Sequence, residues 1–178
     1  MSSSLNAHER KLLEILDDIL RDSSSAAAID SIVKRVEQKL VQRRDAVMAW
    51  EPVPLDLYRN ELPAEIRSSW VFILRSNATT GAERHPNSHQ RMMSYRGSGD
   101  FRVMSGDRWE SNFLVSDPGT SLQSRWISIP PHTWHQAVVP GQNWVVVSFH
   151  TALQEELIEE RPRPNDTNQT DQRTYLNK

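Results

Sequence analysis

Five of the six histidines in this chain lie between residues 85 and 150, and three of them have neighbours that can bind a metal. His85 and His89 are flanked by Glu83 and Gln90, and His135 follows a proline-containing turn. Imidazole nitrogens combined with carboxylate or amide oxygens are the usual ligands of divalent transition metals. The sequence therefore predicts a metal site, provided that these side chains converge in the folded chain.

Strand geometry limits which of these side chains can converge. Glu83 and His85 are two residues apart and face the same side of an extended segment, and the turn residues 86–88 can return the chain beside them. Gln90 and His89 are adjacent, so a regular strand points only one of them at His85. His89 supplies a third imidazole only if the strand is bulged or the loop turns differently. The two faces of the following strand are Gln90, Met92 and Ser94 on one side and His89, Arg91, Met93 and Tyr95 on the other.

The segment around His85 resembles the first motif of the cupin superfamily, which is His-x-His, three or four residues, Glu, six residues and Gly. This chain has Glu83-x-His85, four residues, Gln90, six residues and Gly97. The spacing agrees, but Glu83 stands where the family has its first histidine and Gln90 where it has a glutamate. Replacing that glutamate by glutamine keeps an oxygen ligand and removes a negative charge, which the carboxylate of Glu83 can restore.

A second segment resembles the second cupin motif, Pro-x-Gly-x-x-His. This chain has Pro130-x-His132-x-x-His135, so the proline and the metal-binding histidine are present and the glycine is replaced. The resemblance extends from about Trp70 to His150. It implies a mainly β fold, a cupin-like antiparallel β-barrel of the double-stranded β-helix or jelly-roll type, preceded here by an N-terminal α-helical hairpin.

The resemblance also implies a function, namely metal-dependent chemistry on a small organic substrate, with a dioxygenase or other oxidoreductase as the first expectation. A sugar isomerase or epimerase is the second enzymatic reading, and a non-catalytic ligand-binding or regulatory module is the alternative of another class. The expected cofactor is one divalent transition metal, Fe, Mn, Ni or Zn. Glu83 is the expected general base if it is not a ligand. The expected metal ligands are His85, His135, Gln90, Glu83 and His89, and the expected substrate-binding residues are Tyr95, Arg91 and Trp134.

The segments that must position these residues are of two kinds, a helical first part and a second part of short strands. Apolar residues at helical spacing predict one helix from Leu5 to Leu20 and a second from about Ala26 to Trp50, ended by prolines. This hairpin covers a sheet face or forms a dimer contact, and DNA reading is the weaker alternative because acidic residues interrupt its basic ones. From residue 70 to 150, short apolar segments and turns predict an antiparallel β fold. These features divide the chain into a helical extension (1–54), a β-barrel domain (55–160, closed by a short helix over 152–160) and a loosely held polar C-terminal tail (161–178).

Composition narrows the classes of partner. The chain of 178 residues has a formal net charge of -2, which gives no support to nucleic-acid binding. It contains no cysteine, which excludes disulfides and thiolate ligands. No apolar run reaches the roughly 20 residues that span a bilayer, and the first residues lack a signal-peptide pattern. We therefore expect a cytoplasmic protein that binds a small molecule and forms a homodimer through its helical stripe and open sheet edges.

Overall fold

The computed structural model describes residues 5–59 and 61–177, with the side chains of residues 167, 168 and 177 left out. In this part of the chain two long helices precede two packed antiparallel sheets and a separate two-stranded one. None of the described helices has the length and apolar character needed to cross a bilayer. The elements are α1 (Ala7–Arg21), α2 (Ser23–Gln42), β1 (Met48–Pro52), β2 (Ser68–Leu74), β3 (Gln90–Arg96), β4 (Ser98–Ser105), β5 (Arg108–Glu110), β6 (Phe113–Val115), α3 (Leu122–Arg125), β7 (Trp126–Ile129), β8 (His135–Val138), β9 (Trp144–His150), β10 (Ile158–Arg163) and β11 (Asp166–Thr174).

The two sheets pack face to face. The larger sheet has the order β1-β2-β9-β3-β7, and in the smaller one β4 pairs with β5, β6 and β8. Apolar side chains from both sheets meet in one inner core, with Trp70, Phe72 and Val146 from the larger sheet and Phe101 and Ala137 from the smaller. This is a jelly-roll arrangement, and it confirms the fold class predicted from the sequence.

The larger sheet is buried on both faces. Every residue of β2 and β9 is buried, because alternate side chains point into the inner core and outward against the helices. On the outer face Val71, Val147 and Phe149 share a second core with the apolar stripes of α1 and α2. The helical hairpin therefore covers a sheet face, as one of its two predicted roles required, and its stripe is not available as a dimer contact.

Buried ion pairs fix α1 on that face. The carboxylate of Glu9 accepts hydrogen bonds from Arg91 Nε at 2.7 Å and from Ser128 Oγ at 2.6 Å. Two turns further along, Asp17 pairs with Arg125 and accepts a hydrogen bond from the indole of Trp126 at 2.8 Å. Burial alone would raise the pKa of Glu9, but the hydrogen bonds from Arg91 and Ser128 outweigh it and lower that pKa to about 2.

Glu9→Gln is therefore expected to destabilise the protein by about 2 kcal/mol at neutral pH, because it leaves a buried guanidinium with one carboxylate partner fewer. Glu65 also binds Arg91, at 2.6 Å, which limits the loss. The pKa of Glu9 lies below its ordinary value of 4.5, so its stabilisation is complete above pH 4.5 and disappears as the pH falls towards 2. Urea denaturation measures the difference in unfolding free energy between wild type and Glu9→Gln. This difference should become smaller as the pH falls from 4.5 to about 2. Glu14→Gln, at an exposed position of the same helix, is the control and should change little.

The second helix is shorter than predicted, and the prediction that it continues to Trp50 is wrong. It ends at Gln42, and Met48–Pro52 forms β1 beside β2, with Trp50 opposite Phe72. The guanidinium of Arg75 donates to the carbonyls of Leu40, Arg43 and Ala46 at 2.8–2.9 Å, so the turn after the helix has its carbonyls satisfied. The apolar residues after the turn belong to the sheet.

The prediction of a short helix over 152–160 is also wrong. This segment is a turn followed by β10, which pairs with β11 as a separate two-stranded sheet. Residues 161–178 were expected to be loosely held, but β11 occupies Asp166–Thr174 and the side chain of Tyr175 is only 2% exposed. Strands with charged side chains on both faces lack the alternating pattern that a sequence can reveal. The division of the chain into three domains stays a prediction.

One glycine in β4 is required by close packing. A Cβ atom on Gly99 would overlap the ring of Trp144, which is fully buried and whose indole donates to Ser94 Oγ at 2.8 Å. Gly99→Ala is therefore expected to lower the free energy of unfolding by about 2 kcal/mol, the usual range for overpacking a rigid core. Thermal and urea unfolding measure this, with Ser98→Ala at the preceding position as control. A Gly99→Ala protein as stable as wild type would contradict the packing described.

Candidate metal centre

Three side chains with metal-binding atoms meet between the sheets. The ligand atoms offered by Glu83, His85 and His135 all lie within 4.8 Å of one another. Backbone pairing brings them together: Glu83 and His135 exchange two N–H···O hydrogen bonds of 2.9 Å, and the carbonyl of His85 accepts from His132 N at 3.1 Å. The segment before β3 therefore runs antiparallel to β8, and the two sequence motifs meet there.

The two histidines are held in the form that can bind a metal. Nδ1 of His85 lies 2.8 Å from the carbonyl of Ile158, and Nδ1 of His135 lies 3.0 Å from that of Thr133. A carbonyl only accepts, so each Nδ1 carries the proton and each Nε2 has a lone pair to offer. Nε2 of His135 is buried and has no hydrogen-bond partner. Burial, and then the neighbouring His135, lower the pKa of His85 to about 4, so His85 is neutral at physiological pH.

The carboxylate of Glu83 is shared between the histidines and a cation. Its Oε1 lies 3.7 Å from Nε2 of His135, and its Oε2 accepts from Arg161 at 2.5 Å. Arg161 also pairs at 2.5 Å with the fully buried Glu159, which in turn pairs with Arg173 at 2.8 Å. Burial alone would lower the pKa of Arg161, but these carboxylates raise it, so the guanidinium stays charged. Glu83 thus has one oxygen bound by Arg161 and the other facing the cluster.

A small cavity adjoins the cluster. Its volume is about 30 Å³, enough for an ion or one to two waters. Gln90 projects into this cavity from β3, and its buried Oε1 has no hydrogen-bond partner. An amide oxygen in that position can bind a metal or orient a metal-bound water. The other walls are mostly apolar and comprise Met48, Phe72, Leu74, Met92, Phe101, Ala137 and Val146.

His150 lies beside the cluster but is satisfied by hydrogen bonds. Its ring centroid is 5.2 Å from that of His85. Nδ1 lies 3.3 Å from Ser88 Oγ and Nε2 lies 3.2 Å from Ser148 Oγ, so both ring nitrogens have hydroxyl partners. Burial, and then His85, lower the pKa of His150 well below its ordinary value. His150 is thus a neutral residue of β9 whose ring nitrogens already have hydrogen-bond partners.

Four predicted site residues lie elsewhere. His89, just before β3, and Arg91 and Tyr95 on its outer face contact the helical hairpin: His89 Nε2 lies 3.7 Å from Oε1 of Glu9, and the phenol of Tyr95 donates to Asp30 at 3.1 Å. His89 also hydrogen-bonds Ser128 Oγ of β7 at 2.8 Å. Strand alternation explains this, because Gln90 faces the cavity and its odd-numbered neighbours cannot. Trp134 does not line the cavity beside the cluster, and the guanidinium of Arg84 lies 4.6 Å from its ring centroid.

The cluster also contains residues that the sequence analysis missed. Arg161, Glu159 and Tyr175 all come from the segment around β10 and β11, expected to be a helix and a loose tail. The signal available for the first two was spacing, because Glu159 and Arg161 are two apart and share a face of a strand. Tyr175 carried a weaker signal, as the one aromatic residue in a polar stretch.

Comparison with known proteins gives similarity in structure alone. No protein-family model matches the sequence, and no curated protein matches it. The capsular polysaccharide assembling protein CapF of Staphylococcus aureus superimposes with a TM-score of 0.50 at 16% identity, over 72% of this chain and 30% of that one. Coconut cocosin and pumpkin seed globulin give TM-scores of 0.50 at 15% and 16% identity, over 66% of this chain and 29% and 28% of theirs. The chain thus spans less than a third of these proteins, and the likeness concerns the fold.

Proposed function

Because this chain has the fold of the cupin superfamily, we propose that it is a small-molecule metalloenzyme with one divalent metal held by Glu83, His85 and His135. The observation that carries the proposal is the convergence of these ligand atoms within 4.8 Å. Two histidines and one carboxylate with open positions form the ligand set of non-haem Fe(II) oxygenases. Dioxygen-dependent oxidation of a small organic substrate at Fe(II) is therefore the proposed reaction class, and Mn, Ni and Zn suit the same ligands.

The chain's own groups have distinct roles in this proposal. A bound metal supplies Lewis acidity and open positions for substrate and dioxygen. His85 and His135 offer Nε2, each fixed by its Nδ1–H bond to a carbonyl. Glu83 offers Oε1 while Arg161 holds Oε2, and a role as general base applies only if Glu83 does not bind the metal. Gln90 supports a fourth position or a water, and the apolar walls exclude bulk solvent.

The cavity walls argue against the sugar isomerase or epimerase reading. A sugar carries several hydroxyl groups, and each needs a hydrogen-bond partner when it is buried. Seven of the twelve lining residues are apolar, and three of the polar ones are Glu83, His135 and Gln90. A substrate with one polar end and an apolar body matches this distribution better than a polyol does.

One observation favours the second candidate, a metal-free ligand-binding module. Arg161 already pairs with Glu83 at 2.5 Å, so a cation is present where a metal would need the carboxylate charge. In that reading the two histidines and Gln90 hydrogen-bond a polar ligand, and the protein turns nothing over.

Metal analysis separates the two candidates. The protein is purified without chelator, analysed by plasma mass spectrometry, and then titrated anaerobically with Fe(II), Mn(II), Ni(II) and Zn(II). About one metal per chain, bound more tightly than micromolar, supports the metalloenzyme. Protein that stays metal-free when each ion is offered would support the module and reject the metal site.

The oligomeric state and the cellular location stay predictions. We propose a homodimer, now resting only on open sheet edges, because the helical stripe is used inside the protomer. Sedimentation that shows only monomer at micromolar concentration would reject it. We also propose a cytoplasmic location with a small molecule as the ligand, and no nucleic-acid partner in view of the net charge of -2.

A further inference from the structure

Tyr175 lies in a cage of aromatic rings beside the candidate metal centre. Its ring centroid is 5.4 Å from that of Trp50, 5.2 Å from Trp70 and 5.8 Å from Phe72. The fourth neighbour is His85, a member of the metal cluster, at 5.9 Å. The interplanar angles, from 53° to 90°, are those of tilted and edge-to-face contacts, which aromatic pairs prefer. The cage is therefore shaped for one six-membered aromatic ring.

The cage also has a polar side. Burial, and then the carboxylates of Glu83 and Glu159, raise the pKa of Tyr175 well above its ordinary value, so the phenol remains neutral. Tyr175 is part of the wall of the same cavity that Glu83, Gln90 and His135 line. A ring in the cage thus has an apolar surround and a hydroxyl group near the cluster.

Tyr175 directly follows β11, which pairs with β10 in a hairpin. β10 and β11 form their own two-stranded sheet, and one isolated bridge, between Arg84 and Glu160, joins them to the rest of the described chain. The remaining contacts of this segment with the jelly roll are made by side chains. Leu157 and Tyr175 pack in the inner core, and the polar contacts are Arg161 with Glu83, Arg84 with Glu160, His85 with the carbonyl of Ile158, and Asn87 with the backbone of Glu156 and Ile158. Such a hairpin can separate from the jelly roll without breaking either sheet of the inner core.

We propose that the cage formed by Trp50, Trp70, Phe72 and His85 is a binding subsite for a small aromatic molecule, and that Tyr175 occupies it in the closed state and leaves when the ligand enters. This inference deepens the proposed function by naming the substrate class, and it rests on that function for the metal beside the subsite. The cavity of about 30 Å³ agrees with this proposal, because it leaves room for an ion and water while the ring of Tyr175 fills the cage.

The test uses p-cresol, which has the ring and hydroxyl of a tyrosine side chain, and 4-methylcyclohexanol as its saturated counterpart. Binding to the wild-type chain and to Tyr175→Ala is measured by calorimetry. We expect p-cresol to bind Tyr175→Ala at least about tenfold more tightly than wild type, because no side chain competes for the cage. We expect 4-methylcyclohexanol to bind that variant about tenfold more weakly than p-cresol, since ring contacts add to area burial.

Hydrogen exchange on the wild-type chain tests whether Tyr175 is displaced. Saturating p-cresol should increase amide exchange over residues 158–175 and leave β2 and β9 protected. Asn87→Ala removes two hydrogen bonds that join the hairpin segment to the chain before β3, and it leaves the Glu83 contact with Arg161 in place. Because it loosens the hairpin, we expect it to tighten p-cresol binding about fivefold, the usual consequence of raising the competent fraction.

The outcomes are separable from those of the metal experiment, because all measurements are made first on metal-free protein. Equal binding of the two probes, or p-cresol binding to Tyr175→Ala with no change in hairpin exchange in wild type, would overturn the inference and leave an engineered cavity only. If Tyr175→Ala does not fold, the exchange measurement and Asn87→Ala still decide. A metal-free result with tight p-cresol binding would reject the metalloenzyme and support the subsite.

Discussion

Replacing either histidine of the cluster is expected to reduce metal affinity more than about 100-fold, since loss of an outer-shell partner alone commonly costs about 10–100-fold. His85→Ala and His135→Ala each remove one of two imidazoles whose Nε2 lone pairs face the cluster. Glu83→Gln keeps the shape but removes the ligand charge, so it should also weaken binding. Titration with Zn(II) against a competing chelator, and Fe(II) content after anaerobic loading, measure these losses.

The matched control for these variants is His132→Asn. His132 precedes His135 by three residues, is exposed, and has a φ of 64°, which asparagine tolerates better than most residues. Its substitution should leave metal affinity within about twofold of wild type, as expected for a surface site outside the cavity. If His132→Asn loses metal as strongly as His135→Ala, or if the double variant His85→Ala/His135→Ala still binds one metal per chain, the ligand assignment is wrong.

The fold could be predicted because it depends on local apolar patterns. The short apolar segments that the sequence places between residues 70 and 150 include those of β2 (Ser68–Leu74) and β9 (Trp144–His150). Continuous apolar runs such as these indicate strands buried on both faces. The error at Trp50 has the same origin, because an apolar strand that follows a helix closely looks like the continuation of its stripe.

The candidate site was predictable only in part, because the contacts made by the outer face of β3 depend on how the helices pack. Alternation alone separated Gln90 from His89, Arg91 and Tyr95. The contacts of the outer face could not be predicted from the neighbouring sequence, because the partners Glu9 and Asp30 are in helices more than sixty residues away in sequence. A polar residue on a strand looks equally suited to a substrate or to an ion pair until the packing of the helices is known.

The β10–β11 hairpin escaped prediction because its sequence is charged and its charged side chains pair with one another. The carboxylate of Glu159 is fully buried between Arg161 and Arg173. Charged residues in sequence usually indicate a solvated face, and nothing local distinguishes a carboxylate that will be buried with two guanidinium groups. The consequence reaches the candidate site, since this same hairpin contributes the cation on Glu83 and the carbonyl on His85.

Metal-free protein is expected to lose about 3 kcal/mol of unfolding free energy between pH 6.5 and pH 4 through His85 alone, at about 1.4 kcal/mol per pH unit for one proton. The pKa of His85 is lowered from 6.5 to about 4, because it is buried and lies beside His135. The unfolded chain therefore takes up a proton near pH 6.5 that the folded chain takes up only near pH 4. The stabilisation is complete above pH 6.5 and is lost as the pH falls through this window.

The pKa of His150 is lowered in the same direction, so the slope over the window should approach two protons, or about 3 kcal/mol per pH unit. Urea denaturation across the window measures the slope. His150→Asn should reduce it by about one proton, while His8→Gln, at an exposed histidine of α1, should leave it unchanged. The Glu9 contribution lies at lower pH, between 4.5 and about 2, and does not obscure the result. Stability that stays constant from neutral pH to pH 4 would show that these two imidazoles are not buried as neutral bases, and the geometry proposed for the metal centre would fail with them.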